Sequence, residues 1–233
     1  MPPISQGVCQ TAIQRHVARG YWQAAKRLGS VAQQYRPSCL TMPCEPDPYA
    51  LVMATFNDDP EFAFRRPVQW GKPVAYGLFD TTDVAPGDVF VLPNEGTFYI
   101  TRFEPFRPAQ AILSNATVTL SGAPGAGSGP PAGGVSCPLA GYQSGYGGAT
   151  AGTVVLATGW PAWIGEPGRG YVPQTGTPGA LPAAALLMRL PVMPDFSPTA
   201  YMTVATLAGQ AYTITGVASS QYGHECLMVT QQV

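Results

Sequence analysis

The chain has 233 residues, a formal net charge of −1 and only 11% charged residues, less than half the roughly 25% of an ordinary soluble domain. Hydrophobic residues make up 45%, which excludes an intrinsically disordered chain. No run of 18 apolar residues offers a membrane-spanning helix. The length suits one large β domain or two small ones. Gly (27) and Pro (25) together reach about twice their usual share. Two accounts of the scarce charge stay open. Much of the surface meets other subunits, since interface cores are depleted of charge, or the chain is a secreted β protein from a high-GC organism rich in Ala, Gly and Pro.

Residues 1–30 hold no unbroken apolar stretch of seven or more, so no secretory signal is expected. Residues 5–35 read as helical, with Val8, Ala12, Val17, Tyr21, Ala25, Leu28, Ala32 and Tyr35 recurring every three to five positions. Gly20 is a candidate break, and Gly29 and Pro37 are stop signals. The segment is basic, with Arg15, Arg19, Lys26, Arg27 and Arg36 and no acid before Glu45. A basic face beside a narrow apolar stripe predicts that residues 1–36 dock on a partner and stay out of the core. Arg15, Arg19, Tyr21, Trp22, Lys26 and Arg27 are the candidate interface residues, with Trp70 as a further apolar anchor.

Residues 37–50 carry four prolines in fourteen positions and read as an extended connector. A first β module is expected over 51–120. "LVMATFN" and "VQWGKPVAYGLFD" are strand-like, and "DVFVLPNEGTFYITRFEPF" is two strands around a turn at Asn94–Glu95–Gly96. Residues 45–104 hold ten acids and four bases, net −6, so charge is segregated along the chain. Residues 121–150 are rich in Gly, Pro and Ser and are expected to link two modules and to be mobile in the free subunit. A second β module is expected over 151–233, within which "AAALLMRLPVM" is either a strand or one helical turn.

The hairpin regions of the two modules align at a separation of 114 residues. Phe90 falls on Val204, Phe98 on Tyr212, Ile100 on Ile214, Thr101 on Thr215, Phe103 on Val217 and Leu113 on Leu227. Either a unit is used twice, or two meanders share alternation by chance.

Chemistry-bearing motifs are scarce. The Gly-rich stretches lack the Lys-Ser/Thr pair of a phosphate loop, and no G-x-S-x-G elbow is present. His224 and Cys226 fall on one face of a terminal strand, a conceivable thiol–imidazole pair without an evident pocket. "FNDDPE" (56–61) lacks calcium-loop spacing, and the Asn115 sequon is read as chance. Five cysteines at irregular spacings, Cys39 and Cys44 among them, make a poor zinc signal and suit reduced thiols in a cytoplasm. No catalytic, cofactor-binding or metal-ligating residues are assigned.

Three stretches, "GYWQAAKRLGSVAQQYRPS", "FRRPVQWGKPVAYGLFDTTDVAPGDVFV" and "GTFYITRFEPFRPAQAIL", resemble small neck and tail structural proteins of proteobacterial tailed phages and prophages. The shared elements are Y-R-P (Tyr35, Arg36, Pro37), G-K-P-x-x-Y-G (Gly71 to Gly77) and P-G-D (Pro86 to Asp88) ahead of a strand. The resemblance covers about residues 15–120. It implies a ring-forming head–tail connector, adaptor or tail-hub subunit, assembled in the host cytoplasm and resident in the virion. Its implied partners are further copies of itself and portal, neck or tail proteins, with non-specific contact to passing DNA.

The expected fold is mainly β: an N-terminal helix, then one or two small antiparallel β-barrel or sandwich modules joined by a Gly/Pro-rich linker. The expected function is a non-enzymatic structural component of a tailed-phage virion. The competing expectation is a peripheral receptor- or glycan-binding β module of a fibre or tailspike attachment, using Tyr142, Tyr146, Trp160 and Trp163 as exposed aromatics.

Overall fold

The computed structural model describes residues 8–44, 46–58, 73–104, 106–122, 154–166 and 185–230. Trp70, the Gly/Pro-rich run from 123 to 150, and Tyr142 and Tyr146 lie outside the described residues. The protein is mainly β, with one N-terminal helix followed by two six-stranded antiparallel barrels.

The helix α1 spans Val8–Leu28 and passes through Gly20 without interruption. Residues 30–35, expected to continue the helix, instead form strand β1 (Ser30–Tyr35). Its backbone pairs on one side with β2 (Ala50–Asn57) and on the other with β4 (Val89–Leu92), and these two ladders outweigh local helical periodicity. The first barrel is completed by β3 (Val74–Leu78), β5 (Gly96–Arg102) and β6 (Ala109–Leu113), in the closed order β1-β2-β3-β6-β5-β4. With β4 beside β1, the first four strands form a Greek key, and closure removes every sheet edge.

The second barrel begins earlier than residue 151. Its first strand, β7 (Ala116–Gly122), follows β6 after only Ser114 and Asn115. The joint between modules is therefore this dipeptide, and the Gly/Pro-rich run falls between β7 and β8 (Val154–Gly165), inside the second unit. Next come β9 (Ala185–Leu190), which makes "ALLMRL" a strand, then β10 (Thr203–Thr206), β11 (Ala211–Ser220) and β12 (Gly223–Thr230). The closed order is β7-β8-β9-β12-β11-β10, the order of the first barrel strand for strand.

The likeness extends to local geometry. In each barrel a bulge interrupts the fifth and sixth strands, after Ile100 and after Ile214. The extra residue is Thr in both. Thr101 Oγ1 donates to Gln110 O at 3.1 Å, and Thr215 Oγ1 donates to Leu227 O at 3.3 Å. The corner before the fourth strand also recurs. Gly87 N–H donates to Ile100 O, and Ile100 N–H to Asp88 O. Tyr201 N–H likewise donates to Ile214 O, and Ile214 N–H to Met202 O. One structural unit is thus used twice. The 114-residue separation holds for the fourth and fifth strands but not the sixth. Ile100 pairs with Ala111, eleven positions on, whereas Ile214 pairs with Met228, fourteen on. The twin of Leu113 is Thr230, not Leu227.

The two cores differ in chemistry. The first is a ring cluster, with Phe56 stacked on Phe98 at 4.2 Å and Phe79 on Phe90 at 4.9 Å. Ala32, Ala54, Ala75, Ala109 and Ala111 make room for it. Gly77 is required here, because a Cβ would lie 2.5 Å from the Phe79 ring and 2.7 Å from that of Phe56. The second core centres on Trp160 with Met188, Met202, Met228, Leu120 and Ile214.

The barrels meet along a seam. Tyr35, Val89, Tyr99 and Ile112 on the outer side of the first pack with Trp163 of the second, and the buried Tyr99 hydroxyl donates to Arg189 O at 2.9 Å. Burial raises the Tyr99 pKa, so this phenol stays a donor. Asn115 ties the joint by accepting from Ile164 N–H and donating to Ile164 O. The sequon asparagine is therefore committed to structure.

The repeated bulge makes a paired prediction. Thr101→Val, at a buried site, is expected to cost about 1 kcal/mol of unfolding free energy, and Thr215→Val, at an exposed one, about half as much. Urea denaturation of the two variants measures both.

Candidate docking surface

Helix α1 has Lys26 and Arg27 in its last turn, favourable against the helix dipole, and no acid in its first. It lies over β2 and β3, on the side of the first barrel away from the second. One narrow face holds it there. Ala25 is fully buried, Tyr21 OH donates to Phe106 O at 3.2 Å, and Phe106 N–H donates to Gln14 Oε1 at 3.0 Å. Tyr21 is therefore engaged within the chain through its hydroxyl.

At about 100° per residue, Arg15, Arg19, Trp22 and Lys26 fall within roughly 60° of one another on a neighbouring face. The Lys26 ammonium sits 3.7 Å from the Trp22 ring centroid. Arg15, Arg19, Lys26 and Arg27 are exposed, and none pairs with a carboxylate among the described residues. Arg27 stands apart from the stripe. Ile13 and Leu28 expose more than half of their surface. The helix thus spends one face on its own barrel and leaves a cationic, partly aromatic face unpaired.

The fifth base of the segment behaves differently. Arg36 leaves the end of β1 and grips Asp88, Nε to Oδ1 at 3.0 Å and Nη2 to Oδ2 at 2.9 Å. Asp88 is 1% exposed and also accepts from Gln34 Nε2 and Ala85 N–H. Arg36 reaches Asp83 as well and lies over the Tyr49 ring, whose hydroxyl donates to Asp83. Hydrogen bonds from Tyr49 and then Arg36 lower the Asp83 pKa. The Y-R-P and P-G-D segments, fifty-two positions apart at Arg36 and Asp88, are one bidentate ion pair. Sequence reasoning missed it because nothing local marks a partner at that range.

His224 lies on β12 and lines two cavities, one of them shared with the first barrel. It is 6% exposed, its Nδ1 is 2.9 Å from Ser219 Oγ, and its Nε2 has no partner. These cavities measure about 670 and 450 Å³, one lined also by Asp195, Phe196 and Ser220, the other by Arg102, Arg189, Tyr222 and Glu225. Burial pushes the Cys226 thiol up to about 12, which leaves it protonated and a poor nucleophile. Cys39, Cys44 and Cys226 are free thiols. Trp160 is fully buried and Trp163 is half-buried in the seam, so neither is the exposed aromatic expected of a glycan platform. Among the described residues no group of three His, Cys, Asp or Glu could hold a metal, and no helix is long and apolar enough to cross a membrane.

No protein-family model, curated protein or solved structure matches this chain.

Two predictions follow from these geometries. Arg36→Met leaves Asp88 buried and unpaired and is expected to cost about 3 kcal/mol. Adding Asp88→Asn should restore part of that loss in a double-mutant cycle by urea denaturation. For His224, burial lowers the pKa below 6.5, so the unfolded state takes up its proton first. Its contribution to stability is complete above pH 6.5 and is lost as pH falls from there through the lowered value. Asp195 and Glu225 are the nearby carboxylates, and Arg189 already occupies Glu225. Thermal midpoints at pH 7.5 and 5.5 should diverge in the native chain and diverge less in His224→Gln.

Proposed function

We propose that this chain is a non-enzymatic structural component of a tailed-phage virion, a ring-forming head–tail connector, adaptor or tail subunit. The observation that carries the reading is α1, a basic helix held to its own barrel by one face and left unpaired on the next. Such a helix suits docking on a neighbouring subunit or on portal, neck or tail proteins, and its cationic face tolerates passing DNA. Two closed barrels with no free edges suit close lateral packing. The segregation of charge, +5 before residue 45 and −6 over 45–104, suits a heterologous contact whose register is set electrostatically. The motifs that carry the resemblance include Arg36 and Asp88, which close the first barrel, so the resemblance rests on residues the fold needs. The reading as a peripheral glycan-binding module loses Trp160 to the interior and part of Trp163 to the seam.

Truncation tests this reading, provided the cut respects β1. Removing residues 1–36 deletes a barrel strand and should unfold the first barrel. Removing 1–28 should leave two folded barrels that fail to enter phage particles. Normal incorporation of the shorter truncation, or a particle reconstruction with single, non-contacting copies, overturns the proposal.

A further inference from the structure

Helix α1 is divided lengthwise into sectors of different chemistry. Gln14, Tyr21 and Ala25 mark the side that meets the first barrel. At about 100° per residue, the opposite direction passes through Gln23. Among residues 10–28, the sector within about 60° of that direction holds Arg19, Lys26 and Arg27 with His16, Gln23 and two small residues, and every one of them is exposed. Arg15, also exposed, stands at its edge. The exposed apolar residues Ile13 and Leu28 fall on one flank, outside this sector.

The sector lacks what a protein contact has at its centre. Protein interfaces place aromatic and aliphatic anchors in the middle and charge toward the rim. Here the bases stand in the middle, and no apolar side chain longer than that of alanine lies between them. Trp22, outside the sector, is half-buried, and its ring already carries the Lys26 ammonium at 3.7 Å. Ile13 and Leu28 offer protein docking on the other flank, so the two uses of the helix do not compete.

The same sector has what a phosphate backbone needs. The helix contains no Asp or Glu, and no acid precedes Glu45 in the sequence. Arg15, Arg19, Lys26 and Arg27 are long cations that pair with no carboxylate among the described residues. They span about 18 Å of helix at 1.5 Å per residue. Duplex DNA carries one negative charge per about 1.7 Å of its axis, so that length offers more phosphates than there are bases to meet them. No free aromatic ring stands among the bases to stack on an unpaired base, which favours the duplex over a single strand. The net charge of −6 over residues 45–104 repels the same polyanion, so the field of the chain steers it to the helix and away from the acidic segment.

We infer that the outward sector of α1, carrying Arg15, Arg19, Lys26 and Arg27, is a contact site for the phosphate backbone of duplex DNA. This deepens the proposed function by naming the partner of the cationic face, and it rests on the virion reading for the source of that DNA. The contact reads charge and not sequence, because phosphate contacts position a protein on the duplex without reporting its bases. Four bases release at most about four counterions, a weak and salt-sensitive contact that suits DNA sliding past a fixed subunit.

Fluorescence anisotropy of a labelled duplex of about 20 base pairs with the full chain, over about 20 to 200 mM salt, tests it. The expected result is binding whose logarithm falls with the logarithm of salt at a slope of about −3 to −4. Arg19→Gln combined with Arg27→Gln should weaken binding roughly tenfold at the lowest salt and make the slope shallower by about 2, with the thermal midpoint unchanged. Ile13→Gln, on the apolar flank, should bind as the native chain does. Absence of binding at the lowest salt overturns the site, as does a double variant with native affinity and slope. Equal weakening by Ile13→Gln, or a lowered midpoint in the double variant, shows that the effect is not confined to the sector and also overturns it. Polyglutamate that competes as strongly as unlabelled duplex at equal charge gives the sector to an acidic protein surface and overturns DNA as its partner. The virion reading is judged separately, by entry of the 1–28 truncation into particles, so either can fail without the other.

Discussion

The bidentate contact between Arg36 and Asp88 is the constraint on which the first barrel depends. It joins the residue that follows β1 to the corner that launches β4, where the sheet must close on itself. A carboxylate 1% exposed is tolerated only when its lone pairs are filled, and here Arg36, Gln34 and the Ala85 amide fill them. The same guanidinium then steers the connector, since Asp83 and Tyr49 are its further partners. From there the connector crosses to the second barrel, where Leu40 O accepts from Trp160 Nε1 at 2.8 Å. One ion pair thus closes a barrel and directs the strap that ties the two units.

The second barrel solves the same corner without charge. At the twin of Asp88 stands Met202, whose sulfur accepts from Thr199 N–H at the place where Asp88 accepts from Ala85 N–H. At the twin of the phenylalanine cluster stands a tryptophan with methionines. Backbone demands are conserved between the units, namely the bulge, its threonine and the left-handed corner. Side-chain demands are met afresh, because a closed barrel of given strand order fixes a volume to be filled and leaves the filling open. Along 89–102 and 203–216 the only identical pairs are Ile100 with Ile214 and Thr101 with Thr215, and they sit at the bulge.

Stacking the units through unlike sides has a consequence for the surface. The apolar outer residues of β1, β4, β5 and β6 are consumed by the seam, whereas their twins on the second barrel are largely threonine, serine and alanine. Position 121 replaces Tyr35, 203 replaces Val89 and 213 replaces Tyr99. The polar exchange keeps the far face of the tandem soluble while leaving it free of charge. At the other end α1 covers the remaining sheet face and turns a cationic stripe outward. The chain is therefore directional, with different chemistry at its two ends.

Composition and alternation by themselves determined the class of this protein, a mainly β chain with a full core and one basic helix at the start, and left open whether its hairpin regions belong to one module or to a unit used twice. Hydrophobic period and the Asn94–Gly96 turn are local properties, so Val8–Leu28 and β4–β5 were legible. The basic residues of α1 were legible too, because an unpaired charge pattern needs no partner to be seen. Only tertiary structure decided that Ser30–Tyr35 is a strand, since its fate rests on two ladders to residues about twenty and sixty positions away. It alone moved the module boundary to Ser114–Asn115, took Trp160 inside and Trp163 into the seam, and engaged Tyr21 with its own barrel. The physical reason is common to all of these. Each depends on which side of a closed sheet a residue faces and on what long-range neighbour stands there, and neither is encoded in a local window of sequence.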